Sequence, residues 1–539
     1  MDPMTSIPWK RVSPVLILCT FQVGLLSKDH ASEAPDGLTA HDRQLRVDLT
    51  WEGEGFSNTV YQIQRSKSAH GPYELLGETA TFPIYSDFLG QPGQTFFYQV
   101  RKAEYKGAQL SPISEWSAPV SGTSRRFDRV ALIGEVQEAS LRIATIGSHP
   151  RSGLVSEWIT TRGKPKRAEW KVAASGATGM ALANFVVAAE RGYLDRGMAA
   201  GKVLKALRFL DQKADRFHGA YSHWINHETG AALPFSKFDD GGDIVETALL
   251  MQGVIIAREY FSKETPTEDE IRVIANRIWK EVDWNWYRKD GSDRLLWHWS
   301  QKHGWKMNLP VHGFNEAEIL YILAIASPTH PIPLSCYFNG WRGDYFGQPR
   351  EHFGTRLELG RGLGGCTFWY YYSHIGMDPN AMQYLGRTYT EHFRDLCKVQ
   401  IQSIRSKAKQ YKGYGELWGL TAAPGPDGYV GFKPGQSDNG TLVPAASISA
   451  YLYAPEASQK CLDTLYTKYG RELWQEFGFI ESFNLTRDWR FPTYLAIDAG
   501  PVAPMLENYR TGLLWKLFMN APEIRKAFGR IKSDPRWEK

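Results

Sequence analysis

The spacing of apolar positions changes twice along the chain. Residues 12–26 form a mostly apolar run behind Lys10 and Arg11, interrupted by Pro14 and Gln22. The run is short for a membrane span, and Ser32-Glu33-Ala34 after it offers small residues for cleavage, so residues 1–34 read as an export signal. Over residues 45–51 and 60–64 apolar and polar positions alternate, the two-residue period of half-buried strands. Gly71-Pro72 and Gln91-Pro92-Gly93 mark turns, and residues 96–100 and 114–120 complete an all-β module spanning 35–124. From Arg125 the period lengthens to that of helices. Helices are predicted over 127–146, 173–191, 201–217, 268–281, 315–326, 380–402, 455–469 and 508–519, with a further apolar helix entered at Asp243. Long loops rich in Gly, Pro and aromatics separate them, and such loops usually carry function. Helices alternating with loops over 125–539 predict a mainly α fold, a toroid of paired helices with one working face.

In the β module, Trp51 stands in VDLTW and Tyr98 in TFFYQVRKAEY. This pairing resembles a fibronectin type III sandwich, whose late-strand tyrosine packs the corner. The module carries no cluster of catalytic groups, so spacing or docking is expected of it.

Composition narrows the choice of function. The 539 residues are too many for one core, and 42% hydrophobic with 22% charged describes a folded globular chain. A net charge of +5 without a basic tract speaks against nucleic acid or an anionic membrane as partner. Aromatics reach 13%, with 19 Trp, and flat rings suit sugar faces as well as cores. The five cysteines show no CxxC spacing, which speaks against a zinc or redox site. No G-x-S-x-G, P-loop or H-E-x-x-H motif occurs. His218, His223 and His227 lie close together but lack a firm further ligand, so no metal and no cofactor is assigned.

The chemistry concentrates in residues 235–259. Asp239, Asp240, Asp243 and Glu246 crowd around Gly241-Gly242 at the start of an apolar helix. Like charges that close raise one another's pKa and resist burial, which fits catalytic or sugar-binding carboxylates. The same residues also fit a capping box, with Asp243 as the cap and Glu246 reaching back. Over 282–307, Trp284 and Trp286 alternate, as do Trp297 and Trp299, around Lys289-Asp290-Gly291. That predicts a hairpin whose tryptophans form either a sugar platform or a packing face. Asn315 and Glu318 form a second capping pattern, which leaves Glu316 at the first helical position. Glu316 can serve as a general acid if burial overcomes the helix terminus, which favours its carboxylate; otherwise it stabilises the helix dipole. Glu416, Trp418, Asp427 and Asp438 are polar or aromatic candidates in the glycine-rich run 411–440. Asp498, Glu507 and Arg510 are either ligands or an internal network, with Glu507 and Arg510 three apart favouring an ion pair.

The segments SGATGMALANFVVAAERGY, RFHGAYSHWIN, PFSKFDDGGDIVETALLMQG, FNEAEILYILAIASPTHP, YKGYGELWGLTA and PVAPMLENYRTGLLWKLFM resemble the glucoamylase-like domain of glycoside hydrolase family 144. The resemblance covers about residues 125–530. It implies an (α/α)6 barrel, endo-β-1,2-glucanase activity with inversion, and a place in the bacterial periplasm or outside the cell. It also implies that Asp239, Asp243, Glu246 and Glu316 are the catalytic acids, with Glu316 as general acid and the base open among the other three. Asp240, Trp224, Trp286, Trp299, Asn315, Glu416, Trp418 and Asp498 are the candidates for substrate binding. The expected partner is a β-glucan chain, and a monomer is expected. LGRGLGGCTF at 359–368 departs from the family pattern at Arg361 and Cys366, and 142–147 lacks an aromatic pair. Those departures keep two alternatives in view: a non-catalytic glycan-binding or envelope protein, and a β-glucan transferase.

Overall fold

A computed structural model of the chain describes residues 33–344, 346–435 and 437–537. Apart from Glu33 and Ala34, the export-signal segment lies outside the described residues, as does Cys19. The alternating segments form β1 (Thr39–Arg43), β2 (Arg46–Thr50), β3 (Thr59–Ser66), β4 (Glu74–Leu75), β5 (Ile84–Phe88), β6 (Thr95–Lys106), β7 (Gln109–Pro112) and β8 (Val120–Thr123). They make two antiparallel sheets, β1-β2-β5 and β4-β3-β6-β7, with β8 also on β6. Val47, Leu49, Trp51, Ile63, Tyr98 and Val100 fill the core between them. Trp51 meets Tyr61 edge-on at 5.1 Å, and the buried Tyr98 hydroxyl donates to Asp87 Oδ2 at 3.0 Å.

The helical part comprises α1 (Arg129–Thr145), α2 (Ser175–Glu190), α3 (Arg196–Gln212), α4 (Ile244–Tyr260), α5 (Pro266–Glu281), α6 (Glu318–Ala326), α7 (Tyr389–Ser406), α8 (Pro444–Ser449), α9 (Pro455–Leu473), α10 (Ala496–Ala499), α11 (Val502–Thr511), α12 (Leu513–Asn520) and α13 (Pro522–Lys532). α2, α4 and α6 are buried almost all round, while α3, α5, α7, α9 and α13 bury one face. A helix apolar on every side must be enclosed by others, so the first set lines the inside and the second covers it. α11 packs on both α1 and α2, which closes the ring into a helical toroid. α2 and α4 approach most closely, because Gly179 faces Gly253: a Cβ on Gly253 would run into the Gly179 carbonyl.

Several boundaries differ from the sequence expectation. α7 begins at Tyr389, because Leu385 and Gly386 adopt positive φ and turn a short hairpin, and a Thr388–Glu391 capping box starts the helix after it. The helix expected over 508–519 is broken at Gly512, whose left-handed φ of 65° ends α11. The tryptophan hairpin does not form. Trp286–Arg288 is one 3-10 turn, Leu295–Leu296 pairs with Pro310–Val311, and His298–Trp299 pairs with Gly242–Asp243. Asp290 and Gly291 do turn the chain, but an isolated two-stranded ribbon is marginal and its arms find better partners in neighbouring loops. Cys336, Cys397 and Cys461 are buried free thiols, and Cys366 is buried with its Sγ donating to the Phe432 carbonyl at 3.3 Å.

The β module is locked to the ring by buried charge. Arg46 bonds Asp48 at 3.0 Å and Glu135 of α1 at 2.7 Å, also donates to Tyr466 of α9, and lies 4.5 Å over the Trp474 ring. Arg142 of α1 reaches Asp48 Oδ2 at 3.0 Å, which is what occupies the 142–147 segment. Glu507 and Arg510 do not pair as expected. Glu507 accepts from Arg191 at 2.7 Å and Arg510 donates to Gln137 at 2.7 Å, because neighbouring helices reach in between them.

Candidate active site

The acids meet at one end of the ring, where α2, α4 and α6 begin. Gly241 and Gly242 bring the first of them in. A side chain on Gly241 would strike the Trp299 carbonyl, and one on Gly242 would strike the Tyr287 hydroxyl and Phe217. Only with both absent can Gly242–Asp243 pair with His298–Trp299. Asp243 then caps α4, its Oδ1 accepting from Val245 N at 3.0 Å and Glu246 N at 2.9 Å. Its Oδ2 takes the Trp297 indole N–H at 3.1 Å and lies 3.2 Å from His223 Nδ1. Asp243 is thus held on every side as an anchor. The capping box is half formed, because Glu246 does not reach back; its Oε2 accepts from Gly176 N of α2 at 2.8 Å.

Asp239 sits in a tight turn with its Oδ1 3.2 Å from His298 Nε2, which also accepts from Gly241 N at 3.1 Å. Burial, and after it the charge of Asp243, pushes the Asp239 carboxyl up to about 7. Glu246 is raised by burial, against the opposing charge of His223. Asp240 is less buried and lies 3.6 Å from His303.

Glu316 is 8% exposed and stands just before α6, not on its first turn. Asn315 Oδ1 accepts from Ala317 N at 2.9 Å, which bends the chain so that the helix starts at Glu318. Glu318 does not close a capping box: its carboxylate is taken by the hydroxyls of Tyr337 at 2.7 Å and Tyr389 at 3.0 Å. Burial pushes Glu316 up to about 7, outweighing its own backbone N–H, with Glu246 and Asp243 adding to the rise. A carboxyl that keeps its proton near neutrality is what a general acid requires.

The aromatic candidates divide. Trp286 is 39% exposed, stacks on His218 at 3.7 Å and meets Trp299 edge-on at 5.9 Å. Trp224 packs edge-on against the exposed Phe235 at 5.0 Å. Trp418, by contrast, is packed in the core, and Glu416 is a surface acid paired with Lys468 at 3.1 Å, so neither is brought to the acids. Asp427 pairs with Arg487 and Asp438 with Lys407, both as structural ion pairs.

Asp498, on α10, accepts from the Tyr372 hydroxyl at 2.9 Å, and burial carries it to about 7. It belongs to a second group of acids, whose other members, Glu157 and Glu481, sequence reasoning did not single out. Glu481 is raised by burial and then by Asp498, and Glu157 is pushed to about 7 by burial, with Glu246 and Asp498 among its neighbours. The one available signal is an acid inside an apolar run, LVSEWI for Glu157 and GFIESF for Glu481. His218, His223 and His227 diverge: His218 joins Trp286, His227 lies between Ser152 at 2.7 Å and Ser156 at 3.0 Å, and only His223 enters the acid centre. His223, Asp239 and Asp243 bring three ligand atoms within 4.8 Å of one another, the one such group among the described residues.

A ring of helices with buried carboxyls at one end and the exposed Trp286 among its loops is an arrangement that suits a glycoside hydrolase. The "Glycoamylase: Putative glucoamylase" family model matches residues 308–522. An exo β-1,2-glucooligosaccharide sophorohydrolase (non-reducing end) from Parabacteroides distasonis is 36% identical over 526 residues, covering 93% of this chain and 71% of that protein. The crystal structure of a β-1,2-glucanase from the same organism matches with a TM-score of 0.87 at 34% identity, over 94% of this chain and 74% of the other. The endo-β-1,2-glucanase of Chitinophaga pinensis, solved with sophorotriose and glucose, matches with a TM-score of 0.72 at 36% identity, over 75% of this chain and 98% of the other. The chain belongs to the glucoamylase-like β-1,2-glucanases, glycoside hydrolase family 144.

Proposed function

We propose that the protein hydrolyses β-1,2-glucan with inversion, with Glu316 as general acid. The observation that carries this is the buried Glu316 carboxyl, brought to about 7 beside Glu246 and Asp243 at the mouth of the ring. In the reaction Glu316 protonates the departing glycosidic oxygen as the anomeric C–O bond breaks. A water attacks the anomeric carbon from the opposite face, and its proton passes to a carboxylate. Asp239 and Glu246 are the acids left for that task, directly or through a sugar hydroxyl, since Asp243 is fully engaged as a cap. Trp286 and Trp299 supply an aromatic face for the chain, and Asp240, Trp224, Asn315 and Asp498 complete the cleft.

The same reading takes the ring as an (α/α)6 barrel over residues 125–539 and the β module as fibronectin type III-like over 35–124. It makes residues 1–34 an export signal, the enzyme periplasmic or secreted, and the working species a monomer. No helix among the described residues is long and apolar enough to cross a membrane.

An exo mode is a second reading alongside endo cleavage. It is favoured by the Parabacteroides distasonis sophorohydrolase, whose match extends over 93% of the chain and so includes the β module. Incubation with linear and cyclic β-1,2-glucan and with β-1,3- and β-1,4-glucans tests both readings. Release of short products from β-1,2-glucan alone supports the function. Cleavage of the cyclic form requires endo action, and disaccharide released only from linear chains identifies exo action. Products longer than the substrate, or binding without cleavage, would replace hydrolysis by the transferase or the binding-protein reading.

A further inference from the structure

The acids of the glycine-rich run 411–440 are taken up in ion pairs, but one of its tyrosines reaches the carboxyls. Ala422–Gly425 and Gly428–Gly431 pair as a hairpin with Pro424 opposite Tyr429, and Gly428, at a φ of 115°, closes the tight turn between them. The hairpin is held at both ends. The Ser482 hydroxyl donates to the Pro424 carbonyl at 2.6 Å, and Asp427 in the turn pairs with Arg487. Ser482 follows Glu481 in the chain, so the bond that fixes Pro424 also brings Tyr429, its partner across the hairpin, to the second group of acids. Burial raises the Tyr429 hydroxyl well above its usual range, and the charges of Asp498, Glu157 and Glu481 add to the rise. The side chain is nevertheless 47% exposed, and it makes no hydrogen bond and no aromatic contact among the described residues. A tyrosine with that much free surface, and with three acids around its oxygen, lines a recess and does not stand on the outer wall. The floor of the recess is polar. Asp498 Oδ1 accepts from the Tyr372 hydroxyl at 2.9 Å and Glu481 Oε2 from Leu495 N at 3.0 Å. Asp498 Oδ2 and Glu481 Oε1 are buried and receive no N–H or hydroxyl from the described residues.

We propose that Tyr429 is a substrate-binding residue, its ring laid on one face of a glucosyl unit whose hydroxyls reach Asp498 and Glu481. The proposal rests on the β-glucan reading above and adds to it a second aromatic contact, separate from Trp286. Trp286 joins the acid centre through Trp299, which lies beside Gly242. Tyr429 joins it through Asp498 and Glu157, and Glu157 in turn feels Glu246. The two rings therefore approach the carboxyls from different sectors of the ring of helices. The C–H face of a pyranose is apolar and packs on an aromatic ring, while its hydroxyls need partners around the edge. A phenol ring free of protein contacts meets the first need. Buried carboxyl oxygens without a donor meet the second, because a sugar hydroxyl supplies the hydrogen bond that the protein leaves unmade.

Tyr429→Ala should raise KM on β-1,2-glucan about three- to tenfold and change kcat by less than about threefold, whereas Tyr429→Phe, which keeps the ring, should hold KM within about twofold of the wild type. A folded Y429A protein with the wild-type KM would overturn the proposal, and so would a Y429F protein as impaired as Y429A. Hydroxyl-radical labelling read by mass spectrometry tests the contact without a change at position 429. In E316Q protein saturated with linear β-1,2-glucooligosaccharide, labelling of Tyr429 should fall by about threefold or more, because a bound sugar covers most of the ring. Tyr193 and Tyr509, 42% and 41% exposed at the far ends of α2 and α11, should label as before. Equal labelling of Tyr429 with and without the sugar would overturn the proposal. The two readings fail separately: a wild-type protein that does not cleave β-1,2-glucan fails the functional reading, whereas cleavage by the wild type with an unprotected Tyr429 fails this inference alone.

Discussion

The Gly176 amide donates to Glu246 Oε2 at 2.8 Å, and this single bond ties the first turn of α2 to the first turn of α4. It redirects Glu246 from a local cap to the neighbouring helix, so the acid is aimed by the ring and not by its own turn. A Cβ at position 176 would run into that carboxylate.

Gly176→Ala should therefore push Glu246 out of place. A stability loss of about 1–3 kcal/mol is expected for a small overpacking, together with a loss of kcat of at least tenfold. A denaturant melt and steady-state kinetics on β-1,2-glucan check the two parts. Full activity in G176A would show that the position of Glu246 does not matter to the reaction.

Glu316→Gln should lower kcat by on the order of 100- to 10,000-fold while leaving glucan binding in place. Its effect on stability has the opposite sign. Glu316 is raised from 4.5 to about 7, so the folded state holds a proton that the unfolded chain gives up. That contribution is fully present below about 4.5 and is lost as pH rises through about 7. The melting temperature of the variant should accordingly gain on the wild type between pH 5 and pH 8, as followed by thermal melts across that range.

Asp48→Ala removes the carboxylate on which Arg46 and Arg142 converge. Leaving two buried guanidinium groups short of a partner should cost about 3–5 kcal/mol. Despite its burial, the arginines hold Asp48 well below its ordinary value of 3.8. The pair therefore contributes above that value, and the contribution fades as pH falls below it. Chemical melts should show the wild-type advantage near neutrality and its shrinkage in acid. An equal difference at both pH values would mean that packing, not the ion pair, holds the β module to the ring.

Trp286→Ala should raise KM about three- to tenfold, the effect of losing one aromatic contact of about 1 kcal/mol, with kcat little changed. Because Trp286 is 39% exposed, the melting temperature should barely move. A lower melting temperature with an unaltered KM would assign the ring to packing against His218 instead of to the substrate.

Much of the local structure is legible in the chain itself. The alternation around Val47 and Leu49 predicts strands, and the helical period after Asp128 predicts helices, because each pattern repeats within a few residues. Asp243 announces the start of α4, since a cap acts on backbone groups two and three positions away. Gly241-Gly242 signals a close approach, though not what approaches. What the tertiary structure decided is who meets whom. Glu246 has a capping partner in sequence and finds Gly176 instead, Trp297 leaves its expected hairpin for Asp243, and Trp418 disappears into the core. Glu157, His223, Glu316, Glu481 and Asp498 are far apart in the chain and belong to no common local pattern. Closure of the ring brings these loops and helix ends together, and burial there raises the carboxyls that carry the proposed chemistry. Local periodicity extends over a turn or two, whereas desolvation and charge coupling depend on distance in space.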